Sequence, residues 1–390
     1  MNSHALMNNY ARFPVELIQG RGSWVRDNTG QEYLDFISGI AVNTLGHAHP
    51  RLTHTIARQA EAMLHCSNLF HIPQQEKLAE QLTKASGLGQ AFFCNSGAEA
   101  NEAAIKIARK FFFDQGSDRR TIITATNSFH GRLLSTLTAT GQDKVKIGFD
   151  PLPPGFVHVP LNDLEALREA MTDQTAAILL EPLQGEGGVN LASHSYLQGV
   201  RQLCDEQGIL LMLDEIQTGI GRTGAMFAFE HAGIKPDVLT LAKGLGGGVP
   251  IGAMLASSAV AASFGPGSHG STFGGNPLSC AAALTVLNVI DQEELLDNVN
   301  KQGVRLKQGL MTLQKKHPQI LEVRGHGLLV GAAFDQDVAG LVTACRDVGL
   351  LVLSAGPKVL RLLPPLNVLE QEIDDALNKL GAALQAWETA

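Results

Sequence analysis

A chain of 390 residues exceeds one ordinary hydrophobic core, so two closely packed domains are expected. A formal charge of -8 and a pI near 5.9, with no basic block, argue against a nucleic-acid or anionic-membrane surface and favour small-molecule chemistry. The odd, scattered set Cys66, Cys94, Cys204, Cys280 and Cys345 contains no CxxC, so neither a disulfide framework nor a zinc ribbon is implied. Met1 to Gly20 lacks an apolar h-region, so no signal peptide is expected and the cytoplasm is the default compartment.

In chain order, His47-Ala48-His49-Pro50 comes first. It offers two imidazoles but no third ligand at a metal-binding spacing, which favours a loop over a metal site. From about Ala91 to Ala256 short apolar runs alternate with amphipathic stretches. Strands are expected at Ala91–Cys94, Thr121–Thr124, Phe156–Val159, Ala176–Leu180, Ile209–Leu213 and Val238–Leu241. Helical patterns fall at Ala100–Phe112, Leu161–Met171 and Tyr196–Gln207, the alternation of a mostly parallel α/β sheet wound with helices. Gly244 to Ile290 carries no Asp, Glu, Lys or Arg, yet Gly246-Gly247-Gly248-Val249-Pro250 and Gly265-Pro266-Gly267 would break a membrane helix. Burial against a partner subunit is the expectation there, with an ordinary core as the alternative. Helices at Ala281–Ile290 and Leu295–Leu313, short strands near Leu321–Val323 and Leu328–Val330, and a last amphipathic helix at Glu370–Ala386 predict a smaller α+β domain.

Lys243 and Asp214 carry the chemical signal. Both follow apolar strands, at the carboxyl edge where open α/β sheets place ligands. An amine there can form an imine with an aldehyde cofactor, and a buried aspartate can keep a pyridinium nitrogen protonated; pyridoxal 5'-phosphate (PLP) needs both. Asn95-Ser96-Gly97-Ala98-Glu99 opens a helix whose free amides suit a phosphate, although a simple serine N-cap reads the same way. Gly219-Ile220-Gly221-Arg222-Thr223-Gly224 matches GxGxxG, but Asp214 and Glu215 stand where a dinucleotide pyrophosphate would lie. Phe129 can stack on a flat ring or fill core, and Arg132 can grip a carboxylate through its planar fork or sit on the surface. Glu181 to Gly188 places a mobile carboxylate among glycines, or a plain turn.

Taken together, Tyr33–Phe36, Gly46–Pro50, Asn95–Glu102, Phe129–Arg132, Glu181–Gly188, Leu213–Gly224, Leu241–Gly248 and Gly270–Asn276 occur in the order seen in the class III aminotransferases of the fold type I PLP enzymes, which this chain resembles. A departure is Trp24-Val25-Arg26-Asp27, where the family more often sets its aromatic directly before the aspartate. The resemblance implies a large PLP-binding domain at 51–282, a small α+β domain at 283–390 and an N-terminal segment at 1–50 packing with it. It implies that Lys243 binds the cofactor, Asp214 pairs with its ring nitrogen, Phe129 stacks on the ring and Gln217 bonds its phenolic oxygen. Ser96, Gly97 and Ala98 would hold the phosphate, joined by Thr272 from the neighbouring subunit of a homodimer. Arg361 would bind the α-carboxylate of glutamate and 2-oxoglutarate with Glu186 as its switch partner, Arg132 the distal carboxylate of an acylated ornithine, with Ser271 and Tyr10 nearby. The implied reaction moves the terminal amine of N2-acetylornithine to 2-oxoglutarate by ping-pong kinetics, as in arginine biosynthesis. Succinylornithine, succinyl-diaminopimelate, ornithine and 4-aminobutyrate are alternative donors, and an aminomutase is the remote alternative.

Overall fold

Period-two burial organises the centre of the chain. In the computed structural model, which describes residues 5–389, the strands Thr175–Leu180 and Leu210–Asp214 are wholly buried. Ala177, Leu179, Leu210 and Met212 enter one apolar cluster with Ile105, Ala108 and Phe112 of the helix Gly97–Asp114. Ile178, Leu180, Leu211 and Leu213 point the other way, into the main core with Leu197, Val200 and Cys204 of the helix His194–Gln207. Successive side chains of a strand leave opposite faces, so such continuous apolar runs demand helices on both sides.

The sheet has seven strands in the spatial order Gln90–Cys94, Gly252–Ala256, Val238–Leu241, Leu210–Asp214, Thr175–Leu180, Thr121–Ala125, Phe156–Val159. Gly252–Ala256 runs antiparallel to both its neighbours, and the remaining pairings are parallel. The turns after the parallel strands therefore gather along one edge, and every cavity residue named below from this part of the chain lies there. A four-stranded antiparallel sheet, Ile320–His326, Leu329–Phe334, Val359–Leu362 and Leu353–Ser354, follows. A mixed four-stranded sheet joins Leu17–Arg21, Trp24–Asp27 and Glu32–Asp35, paired antiparallel, to Leu350–Leu351, which runs parallel to Glu32–Asp35.

Three local expectations change. The helical pattern at Leu161–Met171 shortens to Leu164–Glu169, because Asn162 has φ 66° and Asp163 caps the helix by accepting from the Ala166 amide. The uncharged stretch is largely interior to its own chain: its helix Pro277–Gln292 is buried from Pro277 to Ile290 on most positions and packs on the helices Pro50–Ala62 and Pro73–Ser86. Among the exposed positions of the stretch is Phe273, 61 % exposed in the loop before Pro277–Gln292. The GxGxxG glycines serve close packing: a Cβ on Gly221 would meet Leu366, and one on Gly224 would collide with Asn300. Arg222 between them is buried, donating to the carbonyls of Leu328 and Pro364. His47 bonds Asp35 at 2.7 Å and His49 stands at the N-cap of Pro50–Ala62. Among the described residues no helix is long and apolar enough to cross a membrane.

Candidate active site

A cavity of about 430 Å³ opens at the carboxyl edge of the seven-stranded sheet. Its wall takes Asn95, Ser96, Gly97 and Ala98 from one strand end, Phe129 to Arg132 from another, Glu181 and Glu186 from a third, Asp214 and Gln217 from a fourth, and Lys243 from a fifth. Five distant segments meet only because the strands that precede them are parallel.

Asp214 ends the central strand and is 4 % exposed. Three N–H donors converge on it: Asn101 Nδ2 at 2.7 Å and His130 Nδ1 at 2.8 Å on Oδ2, and the Ile216 amide at 3.0 Å on Oδ1. Lys243 follows its strand in a left-handed conformation, φ 40°, which costs an ordinary residue about 1–2 kcal/mol. Burial pushes its ammonium pKa below the ordinary 10.5; the Glu186 carboxylate opposes that shift and Arg361 reinforces it.

Ser96 is the N-cap of Gly97–Asp114, its hydroxyl accepting from the Glu99 amide at 3.2 Å. The cap and the phosphate seat are compatible, because the amides of Gly97 and Ala98 precede the first intrahelical bond and lie on the cavity wall. Gly131, at φ 136°, lets the Phe129 loop approach this helix; a Cβ there would stand 2.8 Å from Ala98 Cβ. The Phe129 amide donates to Glu181 Oε2 at 3.0 Å, and burial followed by the nearby Asp214 raises the Glu181 pKa well above the carboxylate range. Arg132 is exposed at the mouth, its guanidinium 5.7 Å from the centre of the Phe129 ring.

At the other end Arg361, from the centre of the C-terminal sheet and 1 % exposed, donates through Nη1 to Glu186 Oε1 at 2.6 Å, the Gly185 carbonyl at 2.7 Å and Gln217 Oε1 at 3.2 Å. Gln217 Nε2 in turn donates to Glu186 Oε1 at 3.2 Å. The Gln217 amide thus bridges the two charged partners while also lining the cavity, a double engagement the sequence did not suggest. A Cβ at Gly185 would lie 1.7 Å from Gln217 Oε1, so a larger residue there would displace that amide. Burial alone would raise the Glu186 pKa, but Arg361 and then Lys243 bring it below the ordinary 4.5.

Arg361 reaches the cavity only through Glu186 and Gln217, and three further expected residues are not brought to it by their own chain. Thr272 is exposed, and Tyr10 is 67 % exposed beside Arg12. Ser271 stands behind the wall, its Oγ accepting from Asn95 Nδ2 at 3.1 Å. Asn101 and His130, which bond Asp214, and Thr240, which bonds Asn101, carried no sequence signal of their own, although Asn101 and His130 sit inside the quoted Asn95–Glu102 and Phe129–Arg132 motifs.

An amine, a dry carboxylate, free helix-start amides and an aromatic face around one cavity fit a flat pyridine aldehyde bearing a phosphate. The family model described as Aminotransferase class-III matches residues 5–384. Acetylornithine aminotransferase of Caldanaerobacter subterraneus subsp. tengcongensis is 52 % identical over 381 residues, covering 97 % of each chain. Among solved structures, ornithine aminotransferase of Toxoplasma gondii superposes with a TM-score of 0.95 at 36 % identity, over 99 % of this chain and 93 % of that one. N-acetylornithine aminotransferase of Stenotrophomonas maltophilia K279a gives 0.86 at 41 % identity, over 97 % and 98 %. The chain belongs to the class III aminotransferases, enzymes that work with pyridoxal 5'-phosphate.

Proposed function

We propose that this chain transfers the terminal amino group of N2-acetylornithine to 2-oxoglutarate, giving N-acetylglutamate 5-semialdehyde and glutamate. The observation that carries this reading is the Arg361–Glu186 pair at 2.6 Å. One cavity must accept a terminal amine in one half-reaction and an α-amino acid in the other. A cation that can be masked solves that problem. With Glu186 on Arg361, no bare charge competes for the donor's carboxylate, and exposed Arg132 at the mouth is left to bind it. The α-carboxylate of glutamate then takes the Arg361 fork in place of Glu186. The near-full-length relative named for acetylornithine supports the choice of donor.

In this reading Asp214 would meet the ring nitrogen, Ser96, Gly97 and Ala98 would take the phosphate, Phe129 would stack on the ring and Gln217 would reach the phenolic oxygen. When bound, the cofactor would supply an electron sink for the carbon that carries the amine. Lys243 Nζ would hold the cofactor and, neutral more readily than a free lysine, take the proton from that carbon. Amino group out and oxo acid in occupy the same cavity in turn, so ping-pong kinetics are expected.

The reading includes a cytoplasmic homodimer in which Thr272 and Tyr10 serve the neighbouring cavity. Supporting this, Thr272 lies in an exposed loop that Asn68 holds by donating to the carbonyls of Ser271 and Gly274, beside Leu69 and Phe70 at 88 % and 67 % exposure. An amino-donor panel with 2-oxoglutarate tests the substrate. Acetylornithine should give the highest kcat/KM against succinylornithine, succinyl-diaminopimelate, ornithine and 4-aminobutyrate, and a preference for 4-aminobutyrate overturns the assignment.

A further inference from the structure

Four segments of the cavity meet at one side chain that no reacting atom need touch. Asn101 lies in the second turn of Gly97–Asp114 and is fully buried. Its Nδ2 donates to Asp214 Oδ2 at 2.7 Å and to the His130 carbonyl at 2.8 Å, so both amide hydrogens are used. Its Oδ1 accepts from Thr240 Oγ1 at 2.7 Å. Thr240 is also fully buried, pairs with Asp214 across the parallel strands and precedes Lys243 on the same strand end. The Asp214 carboxylate and the His130 carbonyl, which can only accept, fix which way the amide faces, and the Thr240 hydroxyl completes the third contact. Were the amide reversed, its oxygen would oppose both the Asp214 carboxylate and the His130 carbonyl.

We propose that Asn101 is a positioning residue for the amino-transfer reaction, acting through Asp214 with Thr240 as its supporting partner. One amide holds in register the helix start that seats the phosphate, the carboxylate that meets the ring nitrogen, the loop that carries Phe129 and the strand that delivers Lys243. A leucine of similar volume would pack in the same space, but it would leave an Asp214 lone pair, the His130 carbonyl and the Thr240 hydroxyl without partners. The helix start and Asp214 must hold opposite ends of one rigid ring, so a small rotation of either loosens the grip on both. This inference rests on the reading that Asp214 engages the ring nitrogen.

The test measures the dissociation constant of pyridoxal 5'-phosphate from the full chain and the pH midpoint of the bound cofactor's absorbance, beside melting of the cofactor-free chain. Asn101→Asp keeps the shape but sets a second carboxylate against Asp214. It should weaken cofactor binding roughly a hundredfold and move the midpoint. Thr240→Val, which leaves Asn101 Oδ1 without its donor, should weaken binding roughly threefold in the same direction. Gln302→Leu, at a buried glutamine bonded to Asn298 away from the cavity, is the control that lowers melting temperature without moving either readout. Wild-type affinity and midpoint in Asn101→Asp and Thr240→Val, with both lost in Asp214→Asn, overturn the inference alone. If Asp214→Asn also keeps wild-type values, the assignment of Asp214 fails and the inference with it. Should Asn101→Asp not fold, Asn101→Ser and Thr240→Val decide by the same two readouts.

Discussion

Two of the carboxylates that line this cavity are built in opposite ways. Asp214 ends a wholly buried strand and receives N–H groups from a helix, a loop and its own turn. Glu186 lies between the two-residue strands Leu183–Gln184 and Asn190–Leu191, flanked by glycines, with its side chain 30 % exposed and bonded to Arg361 and Gln217. The first is locked by partners that have nowhere else to go. The second has room to leave and one strong reason to stay. On the proposed reading one would serve the cofactor in every turnover and the other would step aside in one half-reaction, roles that call for these contrary supports.

Lys243 stands between the two ends, and replacing it should erase the contrast. Lys243→Ala is expected to lower turnover by at least about 10⁴-fold in both half-reactions, because nucleophile and proton carrier go together. Single-turnover measurements with each substrate check this; a variant with wild-type rate would remove the central assignment. Asp214→Asn comes next. It should lower kcat by about 10²–10³-fold, equally with acetylornithine and with glutamate, since the ring end serves both. A loss confined to one substrate would show that Asp214 is not the fixed partner described here.

The hairpin end should respond unequally. Arg361→Lys keeps the charge but loses the fork, so kcat/KM for 2-oxoglutarate should fall about 30-fold, while that for acetylornithine changes less than about threefold. Glu186→Gln leaves Arg361 unmasked and should do the reverse by about tenfold, favouring α-amino donors over the terminal amine. Because Arg361 and Lys243 hold the Glu186 pKa below its ordinary value, the mask stays charged through the neutral range, and the wild-type donor preference should be flat there. Equal losses for both donors in Glu186→Gln would count against a movable mask.

The locked end was the more legible in the sequence. Continuous apolar runs fix strands buried on both faces, and a parallel sheet then brings whatever follows them to one edge, so Lys243, Asp214, Ser96–Ala98 and Phe129 could be placed before any coordinates. Asn101, His130 and Thr240 could not be found this way. A buried polar residue inside a helix or strand is silent in periodicity, and its meaning depends on partners more than a hundred positions away, as with Asn101 and Asp214. The double use of Gln217 was hidden for the same reason. Thr272 and Tyr10 lie outside the cavity of their own chain, and one chain's pattern cannot say which surface a second copy covers. The strand Gly252–Ala256 was weakly marked because glycine and alanine carry little β-propensity.

The smallest expected effect lies away from both carboxylates, where three imidazoles join the large sheet's surroundings to the C-terminal sheet. His231 lies 4.2 Å from His326 with the rings tilted by 53°, and 6.4 Å, nearly parallel, from His194; Lys307 and Glu230 are the other charges felt there. Burial, then His231 and Lys307, push the His326 pKa down from 6.5 to about 4. The unfolded chain therefore holds a proton in this window that the folded chain does not. Stability is at its full value above 6.5, falls as pH drops towards 4 and levels below it. After discounting for the partly exposed ring, the loss is about 1–2 kcal/mol, or about 2 °C in melting temperature for a chain of this size. His326→Gln should flatten that part of the acid limb and leave the two substrate specificities unchanged. Comparing melting curves of the variant and the wild type across the window cancels the carboxylates common to both. An acid limb identical in the two proteins would place the pH-sensitive contact elsewhere. A change in donor preference would mean that this sheet junction, and not the hairpin alone, governs how Arg361 is masked.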